Sequence, residues 1–268
     1  MQNTETFQLS MAAAEAYEAR FVPALFAEWA PHLVELAGVA PGQAVLDVAC
    51  GTGIVARTAA DALRGAGRVV GLDLNEAMLA VARRVRPDIE WRQGDAATLP
   101  FPDASFDAVL CQMALMFFPD RARALGEMRR VVTAGGTVAV VVPGALSSQP
   151  AYGPFVTMVA RHAGAEAVSL LSTYWACGDL PQLRALVESA GLEVVGTRTR
   201  LGTARFDSVD AFVATEVEGT PLIDRISQEV YARIREDARE VLHSFTTPAG
   251  RVEASLEGHL VAARTHRS

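Results

Sequence analysis

An open α/β sheet, mostly parallel and covered by helices on both faces, is predicted by three features of this 268-residue chain. The first is the apolar run Val45 to Val48, interrupted by the carboxylate of Asp47 and followed at once by Ala49-Cys50-Gly51-Thr52-Gly53. Glycine is needed where backbone must turn tightly and approach a ligand with no Cβ in the way. The second is the alternation of strand and helix patterns over residues 44–142, which predicts parallel strands and right-handed crossovers. The third is a carboxylate at or near the carboxyl end of three successive strands (Asp47, Asp73, Asp95), the edge where such sheets bind ligands.

The elements follow in order. Residues 1–8 are polar and expected to be loose. Tyr17, Phe21, Leu25, Trp29 and Leu33 recur every four residues, as on a helical face, and Pro23 and Pro31 are expected to break that face into at least two helices. Strands are predicted at 44–49, 68–73, 89–93, 106–112 and 136–142, with helices at 54–63, 76–85 and 120–132 between them. Asp179-Leu180-Pro181 reads as a helix start, with Asp as N-cap and Pro in the first turn, and Gly191 as its stop. Leu192 to Arg198 and Gly258 to Arg264 complete seven strands. Two segments exceed what the sheet needs, about 148–176 and 206–245. In the second, Ile226, Val230, Ile234, Ala238, Val241, Leu242 and Phe245 share a helical face. Both are expected to form a helical cap over an acceptor pocket, or else peripheral packing helices.

Composition narrows the function. A net charge of −7 argues against a nucleic-acid partner, because phosphate neutralisation needs a basic surface. All 24 basic residues are arginine, so the chain has no P-loop lysine, Schiff-base lysine or Tyr-x-x-x-Lys pair. Cys50, Cys111 and Cys177 are widely spaced, lack metal-ligand spacing and read as reduced thiols, with Cys50 and Cys111 expected in the core. No signal-peptide pattern and no bilayer-length apolar run is seen, so a cytoplasmic protein without membrane insertion, monomeric or homodimeric, is expected.

Asp73 lies twenty residues past Gly53, where a ribose-binding carboxylate is expected. With Asp47 and Asp95 it would make a rim that repels a pyrophosphate and favours a ligand carrying an amine and a sulfonium. At these residues the sequence resembles the class I S-adenosylmethionine-dependent methyltransferases, in the ubiquinone/menaquinone C-methyltransferase (methyltransferase type 11) branch. The matching blocks, in the family's order, are Val45–Gly53, Gly71–Leu79, Gly94–Pro102, Ser105–Gln112 and Glu127–Gly136. The family's usual Lys-Pro before the last two glycines is replaced by Thr133-Ala134, at a turn away from the cofactor.

The resemblance implies a Rossmann-like, doubly wound seven-stranded sheet of order 3-2-1-4-5-7-6 with strand 7 antiparallel. It also implies a methyltransferase domain (41–268), with S-adenosylmethionine as cofactor and S-adenosylhomocysteine as product; the N-terminal helical segment (1–40) is expected to be a lid over the cofactor, or else to cover the sheet edge. Carried over by position, Ala49, Gly51 and Gly53 would pack on the methionine moiety and Asp73 would hold the ribose hydroxyls. Leu74 and Met78 would flank the adenine, Asp95 and the Ala96 amide would read its edge, and Gln112 would face the methyl-transfer locus. Tyr17 resembles the family's lid aromatic.

A small organic acceptor is expected by elimination. Cys111-Gln112-Met113-Ala114 is not the Asn/Asp-Pro-Pro-aromatic tetrad of nucleic-acid amino methyltransferases, and no trio of metal-binding acids is apparent, so no metal is expected. A general base is needed only if the acceptor must lose a proton. His162 and His243, in the cap segments, are candidates for that role, with ordinary packing or surface histidines as the alternative. Tyr174 and Trp175 could line the acceptor site or serve the core. Glu216 and Glu218 could bind a cation, though solvated helix-face acids are the default, and Arg129-Arg130 and Arg83-Arg84 read as solvent-facing helix ends. Two other classes are kept: a nicotinamide oxidoreductase, because Gly51–Ala56 formally fits G-x-G-x-x-A, and a protein that binds the cofactor without turnover.

Overall fold

Strand patterns become seven strands: β1 (Ala44–Val48), β2 (Arg68–Asp73), β3 (Glu90–Gln93), β4 (Phe106–Gln112), β5 (Val132–Pro143), β6 (Glu193–Phe206) and β7 (Val252–Arg264). They form one sheet in the order β3-β2-β1-β4-β5-β7-β6. β1 to β5 pair in parallel, and β7 runs antiparallel to both β5 and β6. The structure, a computed structural model, describes residues 9–164, 169, 171–220 and 222–265. The segment 1–8, residues 165–168 and 170 of the first cap segment, Pro221 of the second, and residues 266–268 lie outside the described residues.

Both faces of the parallel strands are covered, so successive side chains enter opposite cores. Val45, Ala108 and Leu110 point to one core, with Leu33 of α2 (Ala30–Ala37), Val55 and Ala59 of α3 (Ile54–Leu63) and Leu79 of α4 (Glu76–Val85). Leu46, Val109 and Cys111 point to the other, with Leu125 and Met128 of α5 (Arg121–Val131) and Leu183 and Val187 of α7 (Leu180–Ser189). Helix starts follow their caps: Asn75 accepts from Ala77 N (2.8 Å), Asp120 from Arg123 N (2.9 Å) and Asp179 from Gln182 N (2.9 Å). Gly191, at φ +79°, follows α7.

The N-terminal segment departs from expectation in one respect. Pro23 does not break its helix: α1 (Met11–Ala16) continues as π-helical turns over Tyr17–Phe26, with Ala27 N bonding Val22 O (2.8 Å). The wider turn tolerates the proline's missing donor. Pro31 sits in the first turn of α2, where no donor is required. Trp29, 1% exposed, enters a space left by Gly202 on β6 and Gly258 on β7; a Cβ at either would fall 2.9 or 2.6 Å from its ring.

β6 and β7 are longer than predicted and pair from Glu193↔Arg264 to Phe206↔Val252. Val252, Ala254 and Leu256 turn inward with period two. β6 is an edge strand whose exposed middle, Arg198–Leu201, interrupts the apolar pattern before Gly202, Ala204 and Phe206 turn inward with period two. The cap segments contribute α6 (Tyr152–Ala163), a short turn Thr173–Trp175, α8 (Val209–Val213) running on through π turns Ala214–Glu218, and α9 (Gln228–Val241). α9 buries Ile234 and Ala238 and packs on α6 and α8, as its apolar spacing predicts. Among the described residues no helix is long and apolar enough to cross a membrane.

Candidate functional site

The sheet order reverses between β1 and β4, the place where open α/β sheets open a crevice at their carboxyl ends. Both strands end there in a left-handed non-glycine residue, Ala49 (φ +56°) after β1 and Met113 (φ +51°) after β4. Such residues are uncommon, and backbone strain of this kind concentrates at ligand sites. Gly51 (φ +54°) and Gly53 (φ +89°) complete the turn. Glycine is required at Gly53 for a second reason: a Cβ there would overlap the Trp91 indole, which is anchored through Nε1 to Arg86 O (2.9 Å).

Three N–H groups of the turn and the helix start are already used. Asp73 Oδ2 accepts from Gly51 N (2.8 Å), Gly53 N donates to Cys50 O (2.8 Å), and Ala56 N donates to Asp47 Oδ2 (2.9 Å). Asp47 is therefore a correction to the expected rim. It is 1% exposed, lies beneath the turn and holds the first turn of α3. Burial pushes its carboxyl up to about 8, so it is largely neutral at pH 7 and adds little charge to the cleft. Asp73 is also raised by burial, against backbone donors from Asn75, Gly51 and Leu74.

The other positions fall around the same crevice. Leu74 is exposed after β2, and Met78 is buried under the N-terminal helix with Ala14, Val81 and Tyr17. Asp95 is exposed in the turn after β3 and accepts from Ala97 N (2.8 Å), while Ala96 is buried. Gln112 is 8% exposed; its Nε2 donates to Phe26 O (3.0 Å) and its Oε1 has no partner. Thr52 Oγ1, in the glycine turn, is likewise buried and unpartnered. Buried oxygens without partners are costly, so these two fit a polar ligand in the crevice.

Tyr17 covers the turn. A Cβ on Gly51 would touch its hydroxyl at 3.5 Å, and its ring stacks between Phe21 (5.6 Å) and Phe26 (5.3 Å). Burial, then Asp73 and Tyr174, push its phenol up. The next residue, Glu18, pairs with Arg57 of α3 (3.0 Å), whose guanidinium also donates to Thr52 O (3.1 Å). The helix is thereby tied to the turn it overlies.

Beyond Tyr17 the cap closes over the ends of β4 and β5. The turn Thr173–Trp175 meets the post-β4 turn through Phe117 and Tyr174 (5.1 Å, edge to face). Gly178 sits against the Gly144–Ala145 backbone with no room for a Cβ. Tyr152 of α6, 3% exposed, packs on Trp175 (5.2 Å) and Phe212 (5.3 Å). The Tyr152 hydroxyl is buried without a hydrogen-bond partner, and Glu216 is half-buried on the π turns after α8. Burial pushes the Glu216 carboxyl up to about 8, against the Tyr152 hydroxyl, which lowers it. Glu218 is exposed and accepts from Tyr231 (2.6 Å).

The two histidines stand elsewhere. His162 Nε2 bonds Asp237 Oδ2 (2.7 Å), joining α6 to α9, and His243 is exposed on a turn before β7. Arg130 is not a solvent-facing end either: it bonds the carbonyls of Leu99 (2.9 Å) and Phe101 (2.8 Å), with Asp103 and Glu127, and clamps the loop after Asp95. Arg129 donates to Gly191 O (3.0 Å), Arg83 pairs with Glu76 and Arg84 with Glu15. All three cysteines are free and buried. Sequence reasoning passed over Trp91, Met113, Tyr152 and Arg57; only Trp91 carried a signal, a large aromatic among polar residues on a short strand, and its packing on Gly53 and Gly71 is visible only in space.

A methyltransferase-domain family profile matches residues 46–140. The chain is 36% identical over 186 residues to a 2-phytyl-1,4-naphtoquinone methyltransferase of Thermosynechococcus vestitus, covering 65% of this chain and 83% of that one. It is 43% identical over 134 residues to a demethylmenaquinone methyltransferase of Renibacterium salmoninarum, covering 50% of this chain and 54% of that one. For that relative and for a ubiquinone/menaquinone biosynthesis C-methyltransferase of Teredinibacter turnerae, the match spans about half of the relative's length (54% and 48%). A solved methyltransferase-fold chain from Bacillus halodurans, 24% identical, superposes with a TM-score of 0.63 over 88% of this chain and 98% of that one. By sheet order, glycine turn and these relatives, the chain belongs to the class I S-adenosylmethionine-dependent methyltransferase family, in the ubiquinone/menaquinone C-methyltransferase branch.

Proposed function

We propose that this protein transfers a methyl group from S-adenosylmethionine to a small organic acceptor. The observation that carries this is the use of the Gly51 and Gly53 N–H groups by Asp73 and by Cys50 O. A dinucleotide pyrophosphate needs such donors free at the helix N-terminus, whereas a ligand with a cationic sulfur does not. When bound, S-adenosylmethionine supplies an electrophilic methyl on a sulfonium that leaves by in-line displacement.

The chain's residues would bind and orient. Ala49, Gly51 and Gly53 give backbone contact without side-chain bulk, and Asp73 keeps lone pairs for the ribose hydroxyls beyond those it shares with Gly51 and Asn75. Leu74 and Met78 would border the adenine, with Asp95 and the Ala96 amide at its edge, and Gln112 Oε1 and Thr52 Oγ1 would meet the polar end of the cofactor. Tyr17 and the helix behind it would act as the lid, and the caps over 148–176 and 206–245 would hold the acceptor. Alignment of acceptor and methyl in such an enclosure is worth roughly 7–11 kcal/mol in favourable cases.

Calorimetry and a labelled-methyl assay test this. S-adenosylhomocysteine should bind at micromolar concentration and NAD(P) should not, and label should pass to one of a panel of quinols, phenols or amines. Binding without turnover across that panel would make the protein a cofactor-binding module, and NAD(P) binding in place of S-adenosylhomocysteine would overturn the proposal.

A further inference from the structure

Resting on that reading, we propose that Arg123, Glu127 and Arg130 of α5 are positioning residues for the nucleobase. They hold the turn after β3 in the shape that reads an adenine and rejects its deaminated form. The three lie four and then three residues apart, so they share one face of the helix. Each grips the loop that follows β3. Arg123 Nε donates to Ala97 O (2.8 Å) and its Nη2 to Thr98 Oγ1 (3.2 Å). Glu127 Oε2 accepts from Leu99 N (2.8 Å). Arg130 donates to Leu99 O (2.9 Å) and Phe101 O (2.8 Å), and its guanidinium also binds Glu127 (2.8 Å) and Asp103 (2.7 Å).

Helix and loop meet most closely at the turn that carries Asp95. Asp95 and Thr98 form an isolated antiparallel bridge; Thr98 N donates to Asp95 O (3.0 Å) and Ala97 N to Asp95 Oδ1 (2.8 Å). Arg123 therefore binds the two residues that themselves bind Asp95. Arg123 is in turn pinned at the helix start, where its N–H donates to Asp120 Oδ1 (2.9 Å). Packing alone does not hold this turn. Leu99 and Phe101 are buried in the core beside α5 and anchor the loop beyond it, whereas Ala97 is half-buried and Thr98 exposed. The arginine supplies the restraint that burial does not.

What the restraint gives is a choice of base. Asp95 Oδ1 is committed to Ala97 N, which fixes the plane of the carboxyl and leaves Oδ2 to face a ligand. A carboxylate offers acceptors only, and the Ala96 N–H only a donor. An adenine edge matches both, with its 6-amino donor and its N1 acceptor. A hypoxanthine edge reverses both, setting acceptor against acceptor and donor against donor. That contrast survives only while the turn stays fixed, since a loose turn could swing an N–H towards the 6-oxygen.

The test is calorimetric, with S-adenosylhomocysteine and S-inosylhomocysteine titrated into wild type and four variants. Wild type should prefer the adenine compound by about 10- to 100-fold. Arg123→Met, an exposed change, should cut that preference about 5- to 10-fold, mainly by weakening the adenine compound. Arg123→Lys keeps one donor for Ala97 O and should fall between the two. Arg129→Met, on the same helix but tied to Gly191 O, should match wild type. A merely structural loss would weaken both compounds alike and leave their ratio unchanged, so the ratio isolates positioning.

An unchanged ratio in Arg123→Met, an equal fall in Arg129→Met, or a wild type that binds both compounds alike overturns the inference. Asp95→Asn tests the base placement beneath it. An asparagine can turn its amide N–H to the 6-oxygen and should erase the preference. If Asp95→Asn keeps the wild-type ratio, this turn does not read the base, and the placement of the adenine fails together with the inference. Failure of wild type to bind S-adenosylhomocysteine would instead sink the methyltransferase reading itself.

Discussion

The two walls of the cleft are built by different means. The wall proposed for the cofactor spans β1 to the turn after β3 and is almost contiguous in the chain, with each residue placed by a strand end or a turn one or two positions away. The wall proposed for the acceptor draws Phe117, Tyr152 and the Thr173–Trp175 turn from three separate segments, brought together by the Phe117–Tyr174 and Tyr152–Trp175 ring contacts. The first wall is specified by backbone geometry, the second by packing. Point changes in the first should therefore be abrupt, and changes in the second graded.

Gly53→Ala is the severest test of that contrast. The new Cβ meets the fixed Trp91 ring at a left-handed position, so a loss of about 2–5 kcal/mol in stability is expected by thermal or denaturant unfolding. An unchanged midpoint would show that the turn yields as easily as the cap.

Asp73→Ala comes next. It removes the acceptor of the Gly51 and Asn75 N–H groups and the expected ribose partner, and should weaken S-adenosylhomocysteine binding by about 10-fold or more in calorimetry. Equal affinity would remove Asp73 from the site.

Asp47→Asn probes the buried base of the same wall. The folded-state pKa of Asp47 is raised from 3.8 to about 8, so the folded protein holds a proton that the unfolded chain releases. Stability from this group is thus full below about pH 4 and declines as pH rises towards 8. Asparagine keeps the oxygen that accepts from Ala56 N, so the variant should gain at least about 1 kcal/mol at pH 8, at least about 2–4 °C, and nothing at pH 4. A gain of the same size at both pH values would show that Asp47 does not titrate in this range.

The smallest effect is expected at the junction of the two walls. Arg57→Ala and Glu18→Gln each break one partly buried pair, and a double-mutant cycle on unfolding should give a coupling of about 0.5–1 kcal/mol. Faster exchange of the Tyr17–Phe26 amides in either variant would confirm that the pair holds the helix down.

Much of the sheet was legible in the residues. The β4 bounds, the α3 and α4 bounds and the Asp179 cap agree with the predicted elements, because period-two apolar runs and caps are local. The outer halves of β6 and β7 were not legible, since they pair only with each other beyond the end of β5 and bury alternate residues, without the continuous apolar run of a strand covered on both faces. Pro23 shows the reverse error, a local breaker overruled by the packing of the helix around it.

The glycine turn, the ribose-position carboxylate and the strand order implied by family resemblance were available before any coordinates, because the physical demands of a tight turn fall on adjacent residues. Tertiary structure alone decided that Asp47 is a neutral support beneath the turn and that His162 belongs to an α6–α9 tie. Charge state and exposure depend on what lies across space from a side chain, and residues far apart in the chain determine that.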